Sequence, residues 1–205
     1  MYTPTSFVEN DLKTLHDFME QHSFATLISA EEHDPFASHL PLLIERDRGT
    51  QGVLTGHFAR ANPHWQMTSG QRVLLIFHGP HAYISPGWVK STTMVPTWNY
   101  VAVHAYGVLR TLDDPGQVRD ILMRMVSRYE SPREQPWSMD LADDAFIEKL
   151  TSAIVAFEVE IDRLEGKWKL SQNHPTERRE QIISGLLDTA RSDEAQIARL
   201  MKETL

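Results

Sequence analysis

The sequence predicts a mainly β fold with flanking helices (α+β), built as an antiparallel barrel or sandwich. Three observations predict it. Six short β-branched or aromatic segments follow one another between Phe24 and Thr111, separated by Gly, Pro or acidic turns. A strictly alternating run, Phe157, Val159 and Ile161 against Glu158 and Glu160, returns a half-buried strand late in the chain. Helical periodicity is confined to the two ends and to one stretch after Asp114.

The elements follow in order. Leu12, Leu15, Phe18 and Met19 share one face of an opening helix over 11–21, with Asn10 as its expected cap. Strands are predicted over Phe24 to Ser29, Phe36 to Glu45, Val53 to Phe58, Arg72 to Phe77, Ala82 to Ser85 and Val101 to Thr111. Asp114 and Pro115 start a helix carrying Val118, Ile121, Leu122, Met125 and Tyr129 at helical spacing. A second helix near 143–153 makes a helical hairpin of about 114–153. The tail from about 175 holds a helix beginning around Pro175, with Ile182, Ile183, Leu186 and Leu187, and a short last helix capped by Ser192.

A chain of 205 residues fits a single domain over 1–205 with a core that needs no disulfide. Cysteine is absent, which excludes disulfides, thiolate nucleophiles and cysteine-ligated metal. The opening MYTPTSFVENDLK has no basic or apolar leader character, and the longest tight apolar run, Val73 to Phe77, is too short to span a bilayer. The expectation is a soluble cytoplasmic protein without membrane contact. A formal charge of −8 disfavours nucleic acid, and Glu177 and Glu180 flank the Arg178–Arg179 pair, so direct DNA binding is not supported.

Five segments carry polar residues that a plain barrel does not require: SHLPL at 38–42, GHFARANPHW at 56–65, FHGPHAYISP at 77–86, VPTWNYVAVHAYG at 95–107 and KWKLSQN at 167–173. In GHFARANPHW, Asn62 can cap a helix whose first position suits Pro63, and the helix start beside the planar donor Arg60 suits phosphate. The other reading is a capped surface helix with Arg60 solvated. Gly79 and Pro80 read either as a tight strand-turn-strand or as part of a ligand edge. Pro96 sets Thr97, Trp98 and Asn99 on a loop or edge, where a tryptophan beside an amide can stack on and bond to a flat heteroaromatic ring, or serve as an ordinary lid. Lys167 and Lys169 share one side of a period-two strand, fit to hold an anion or to balance Glu158 and Glu160. The ten histidines form no HExxH pair, and neither a GxSxG elbow nor a GxxxxGK phosphate loop occurs. No metal site and no catalytic residue is nominated.

Taken together, MYTPTSF, GHFARANPHW, GPHAYISP, VPTWNY with the following VH and G, and KLSQN before a final helix resemble the PaiB family. The segments occur in the family's order and cover almost the whole chain. Gly87 and Val89 depart from the Ser and Tyr expected after AYISP, and Glu177 from an expected Asp. The resemblance implies an antiparallel split β-barrel of the FMN-binding, pyridoxamine-phosphate-oxidase-like kind. It implies FMN in a cleft at a homodimer interface, with residues from both chains, and a role as a negative transcriptional regulator. It also implies Arg60 and Asn62 on the phosphate, and His39, Leu40, Pro41, Leu42, Gly56 and His57 along the flavin edge. Thr97, Trp98 and Asn99 would cover the ring, and Lys169, Ser171 and Gln172 would add further contacts. Two other functions stay open: an FMN-dependent oxidoreductase acting on a small molecule with NAD(P)H as reductant, and a haem-binding split barrel using His57 or His104.

Overall fold

The computed structural model describes residues 1–30, 34–90 and 93–205. Among them eight strands form one antiparallel sheet: β1 Val8–Glu9, β2 Phe24–Ala30, β3 Pro35–Pro41, β4 Leu43–Glu45, β5 Val53–Ala59, β6 Arg72–Ile84, β7 Thr97–Leu112 and β8 Ile154–Lys169. Their order is β3-β2-β6-β7-β8-β5-β4, with β1 pairing β8. The helices are α1 Leu12–Gln21, α2 His64–Thr68, α3 Pro115–Glu130, α4 Asp144–Ser152, α5 Thr176–Asp188 and α6 Ser192–Glu203. The mainly β class with flanking helices is therefore the observed one. None of the described helices is long and apolar enough to cross a bilayer.

The chain divides into two compact units, 1–18 with 78–104 and 165–205, and 19–77 with 105–164. In the second, β2 pairs β3 from Phe24↔Pro41 to Ala30↔Pro35, and β5 pairs β8 from Val53↔Glu160 to Ala59↔Ile154. The alternation of these strands turns Ala25, Leu27, Leu54, Phe58, Phe157 and Val159 into the core. Gly56 lies where a Cβ would stand 2.7 Å from Leu42 Cδ2 and 2.9 Å from Phe157 Cζ. Val118, Ile121 and Met125 of α3 pack against Ala156, with Leu43, Leu112 and Ile154 around them. Asp114 caps α3 through the Gln117 N–H, as its sequence predicts, and Asp143 caps α4 through the Phe146 N–H.

In the first unit β1 lies against the end of β8, Val8↔Lys167 and Glu9↔Gly166, and Phe18 packs on Trp168 at 5.1 Å. Ile182, Leu186, Ile197, Ala198 and Met201 seal α5 against α6. The turn between the two helices includes Ala190 at φ 53°.

Four local expectations need correction. β6 runs unbroken through Gly79 and Pro80, because Gly79 makes room for Phe18, whose Cζ would lie 2.6 Å from an added Cβ. Asp11, not Asn10, caps α1, its Oδ1 accepting the Thr14 N–H at 2.8 Å. Ser192 does not cap α6; its hydroxyl instead accepts from Gln196 Nε2 at 3.2 Å. The run Phe36 to Glu45 is interrupted at Leu42, which is buried and donates its N–H to Ser23 O at 2.9 Å.

Candidate functional site

β7 opens with Thr97, Trp98 and Asn99, and strand alternation sends these three neighbours to opposite faces. On one face lies a polar cluster. Asn99 is fully buried, donating Nδ2 to Ser171 Oγ at 3.0 Å and accepting the Ser171 hydroxyl at 3.2 Å. Ser171 follows the end of β8 at φ 62°. Gln172 holds that turn closed, accepting the Leu170 N–H at 2.8 Å and donating to Trp168 O at 2.6 Å. Lys169 Nζ donates to Thr97 Oγ1 at 2.6 Å and to the Trp98 carbonyl. Together Thr97, Asn99, Lys169, Ser171, His174 and Phe7 line most of a cavity of about 270 Å³.

The electrostatics of this cluster are one-sided. Burial, then the Lys167 charge, push the Lys169 pKa down; burial, then Arg178 and Lys169, push His174 down. Among the described residues, no carboxylate contributes to either shift. Three hydroxyl or amide side chains and the Lys169 ammonium therefore meet at one cavity, a donor set suited to a phosphate monoester.

The opposite face of β7 is aromatic. Trp98, 53 % exposed, lies 6.2 Å from the His81 ring and 5.9 Å, edge-on, from Tyr83, itself 44 % exposed. A groove of about 370 Å³ runs beside them over Gly79 and Val101. Trp98 is thus separated from Thr97 and Asn99, and the three do not face one ring from one chain.

In the second unit, Leu40 and Leu42 turn into the core, while His39 bonds Thr26 Oγ1 through Nδ1 at 3.1 Å. Leu42 and Gly56 are in contact. Asn62 Oδ1 accepts the His64 N–H at 3.0 Å, so the helix-start bond forms, although α2 is a single short turn and Pro63 flanks it. Arg60 is occupied elsewhere: Nε and Nη2 donate to Ser152 O and Ile154 O, both at 2.7 Å, tying the end of β5 to the connection between α4 and β8. The buried Nδ1 of His57 has no hydrogen-bond partner among the described residues.

Sequence reasoning missed His64 as a centre. Its ring, fully buried, bonds Ser38 Oγ at 2.8 Å and Ser29 Oγ at 3.0 Å, and Asn62 Nδ2 joins at the same Ser38 hydroxyl. The available signal was that Ser38, two residues before Leu40 on the same strand, shares its core-facing side. Among the described residues no group of three or more His, Asp or Glu is arranged to hold a metal ion.

Burial depresses the pKa of His57, His64, His104 and His174. The unfolded chain then binds more protons below about pH 6.5, so their contribution is complete above that value and is lost as pH falls through the depressed folded values. Asp11 and Asp162, also depressed, add a further loss only below about pH 4. Urea midpoints are expected to be lower at pH 5 than at pH 7.5, with a weaker dependence in His64→Gln. A midpoint that rises on acidification would contradict this.

Comparison with known proteins gives the family and the fold. Residues 1–163 match the family described as "Putative FMN-binding domain". The chain is 34 % identical over 206 residues to "Protease synthase and sporulation protein PAI 2" of Bacillus subtilis, covering 100 % of this chain and 98 % of that protein. Among solved structures, the flavocytochrome Anf3 of Azotobacter vinelandii superposes with a TM-score of 0.59 at 13 % identity, covering 79 % of this chain and 69 % of its own. The FAD and heme binding protein of Mycobacterium smegmatis gives 0.57 at 15 % identity, covering 87 % and 80 %. At such identities the two structures speak for the fold alone, and that fold is the split barrel expected from the sequence.

Proposed function

This chain belongs to the family of the "Putative FMN-binding domain", and from that premise we propose that it binds FMN, reading the phosphate through the Lys169 cluster. The observation that supports this assignment is the convergence of Lys169 Nζ, the Thr97 and Ser171 hydroxyls and the buried Asn99 amide on one cavity. Arg60 and Asn62 take a smaller share, because Arg60 Nε and Nη2 already bond Ser152 O and Ile154 O, which fixes the guanidinium on its own chain, and Asn62 Nδ2 already bonds Ser38 Oγ. His39 to Leu42, Gly56 and His57 remain proposed flavin-edge contacts of the second unit, and Gln172 acts by holding the Ser171 turn.

The cavity, about 270 Å³, lies below the roughly 300–1,000 Å³ of complete small-molecule sites. A single chain therefore accommodates part of the ligand, and the exposed Trp98 and Tyr83 face a second copy. We assign the protein as a homodimer whose flavin sites draw on both chains. When bound, the flavin supplies hydride or single-electron chemistry. This chain's residues bind and orient: Lys169 and Ser171 fix the anionic end, and the aromatic face shields a ring from water.

The cellular role we assign is regulatory, without direct DNA contact through α6, which carries Asp193, Glu194 and Glu203 against Arg199 and Lys202. A promoter shift at low salt that α6 charge variants abolish would overturn that.

The experiment is a pair of variants followed by flavin fluorescence. Lys169→Ala is expected to weaken FMN by about ten- to a hundredfold, the worth of a charge-assisted bond. Arg60→Ala is expected to change affinity by no more than about threefold while costing about 1–2 kcal/mol of stability through its two lost backbone bonds. The reverse order of the two affinities would return the phosphate to Arg60.

A further inference from the structure

The second unit contains a cavity of about 470 Å³ bounded by α3, α4 and the start of β8, within the size range of small-molecule sites. Its apolar part is formed by side chains such as Val118, Ile147 and Ala156. Four charged residues stand around it: Arg60, Arg119, Asp113 and Glu148. Two are cations and two are anions, yet among the described residues none of the four forms an ion pair.

Arg60 is not a loose surface side chain. Its two bonds to Ser152 O and Ile154 O fix the guanidinium plane and leave Nη1 for another acceptor. A second feature points to a ligand on the same side of the sheet. His57 pairs with Ala156, antiparallel partners project to one face, and the buried His57 Nδ1 has no hydrogen-bond partner among the described residues.

A plain anion entering here meets two carboxylates, and a plain cation meets two guanidinium groups. A molecule bearing both charges on an apolar body meets complementary groups throughout. We propose that this cavity binds a free amino acid with an aliphatic or aromatic side chain. Its carboxylate lies toward Arg60 and Arg119, its ammonium toward Asp113 and Glu148, and its side chain on the apolar wall. Arg supplies a planar fork suited to the carboxylate. Arg60 and His57 enter both readings and the Lys169 cluster only the flavin one, so Lys169→Ala is expected to leave amino-acid binding unchanged and Glu148→Gln to leave FMN binding unchanged, which keeps the failure of one reading distinguishable from that of the other.

The test is isothermal titration of the full chain with L-leucine and L-phenylalanine, alongside 3-phenylpropanoate, which lacks the ammonium, and phenethylamine, which lacks the carboxylate. At least one amino acid is expected to bind with a Kd below about 1 mM. For a phenylalanine site, each singly charged analogue is expected to bind about tenfold more weakly or worse. Arg119→Ala and Glu148→Gln, both at exposed positions, are each expected to weaken the amino acid by about fivefold or more. No heat with either amino acid overturns the proposal. So does equal binding of a singly charged analogue, or unchanged binding in both variants.

Discussion

Gly107→Ala is expected to destabilise the protein by about 3 kcal/mol or more, the upper end of overpacking losses. A Cβ at Gly107 of β7 would stand 2.1 Å from the Glu160 carbonyl oxygen, 3.0 Å from its carbon and 2.8 Å from Val159 Cγ1. Two of these atoms are backbone of β8, so no rotamer change relieves the contact, and the strands must separate. The same strand carries Leu109 and Ala105 into the core, so separation there also opens apolar surface. Gly87→Ala is the control: its Cβ would meet only Ser85 Oγ, at 3.3 Å, and a loss of about 1 kcal/mol or less is expected. Urea denaturation of the two variants checks the contrast, and equal midpoints would mean that β7 and β8 are not in such close approach.

Arg179→Leu is expected to release the last helix. The Arg179 side chain, 5 % exposed, donates to Thr204 O at 2.7 Å, to Met201 O at 3.0 Å and to Thr204 Oγ1. These acceptors lie at the last turn of α6 and its C-cap Thr204, and Met201 O also accepts the Thr204 N–H at 3.3 Å and its hydroxyl at 3.1 Å. A cation there also meets the negative end of the helix dipole. Leucine removes the three guanidinium bonds that tie the end of α6 to α5, a loss of about 2 kcal/mol. Burial lowers the Arg179 pKa, showing that desolvation opposes this arrangement. Removing the donors still costs more than that penalty, because three charge-assisted bonds are lost together. Amide exchange should accelerate across Ser192–Glu203, while Arg199→Ala, at an exposed position of the same helix, leaves protection unchanged. Undiminished protection in Arg179→Leu would remove Arg179 as the fastening.

Much of the fold was legible. The alternation of Phe157, Val159 and Ile161 and the Asp114–Pro115 helix start rest on local periodicity and capping, and both appear where the sequence predicts them. Gly79–Pro80 misled because the dipeptide's local chemistry favours a turn. A contact with Phe18, distant in sequence, decides in favour of a strand. Arg60 shows the same limit at the candidate site. Its guanidinium is visible in the sequence, but the carbonyls it bonds lie 92 and 94 residues away. The separation of Trp98 from Thr97 and Asn99 follows from strand alternation, yet Pro96 suggested a loop, and in a loop that rule has no force. The five motifs carried the family because they combine over the whole chain, whereas the partners of His64 required the fold.

The most direct measurement is titration of the purified protein with FMN and with riboflavin, followed by flavin fluorescence at one ionic strength. The two ligands differ in the phosphate alone. The account expects FMN to bind at least about tenfold more tightly, with the difference shrinking in Lys169→Ala. Equal affinities, or no binding of either, would contradict the claim that this chain reads a flavin through its phosphate.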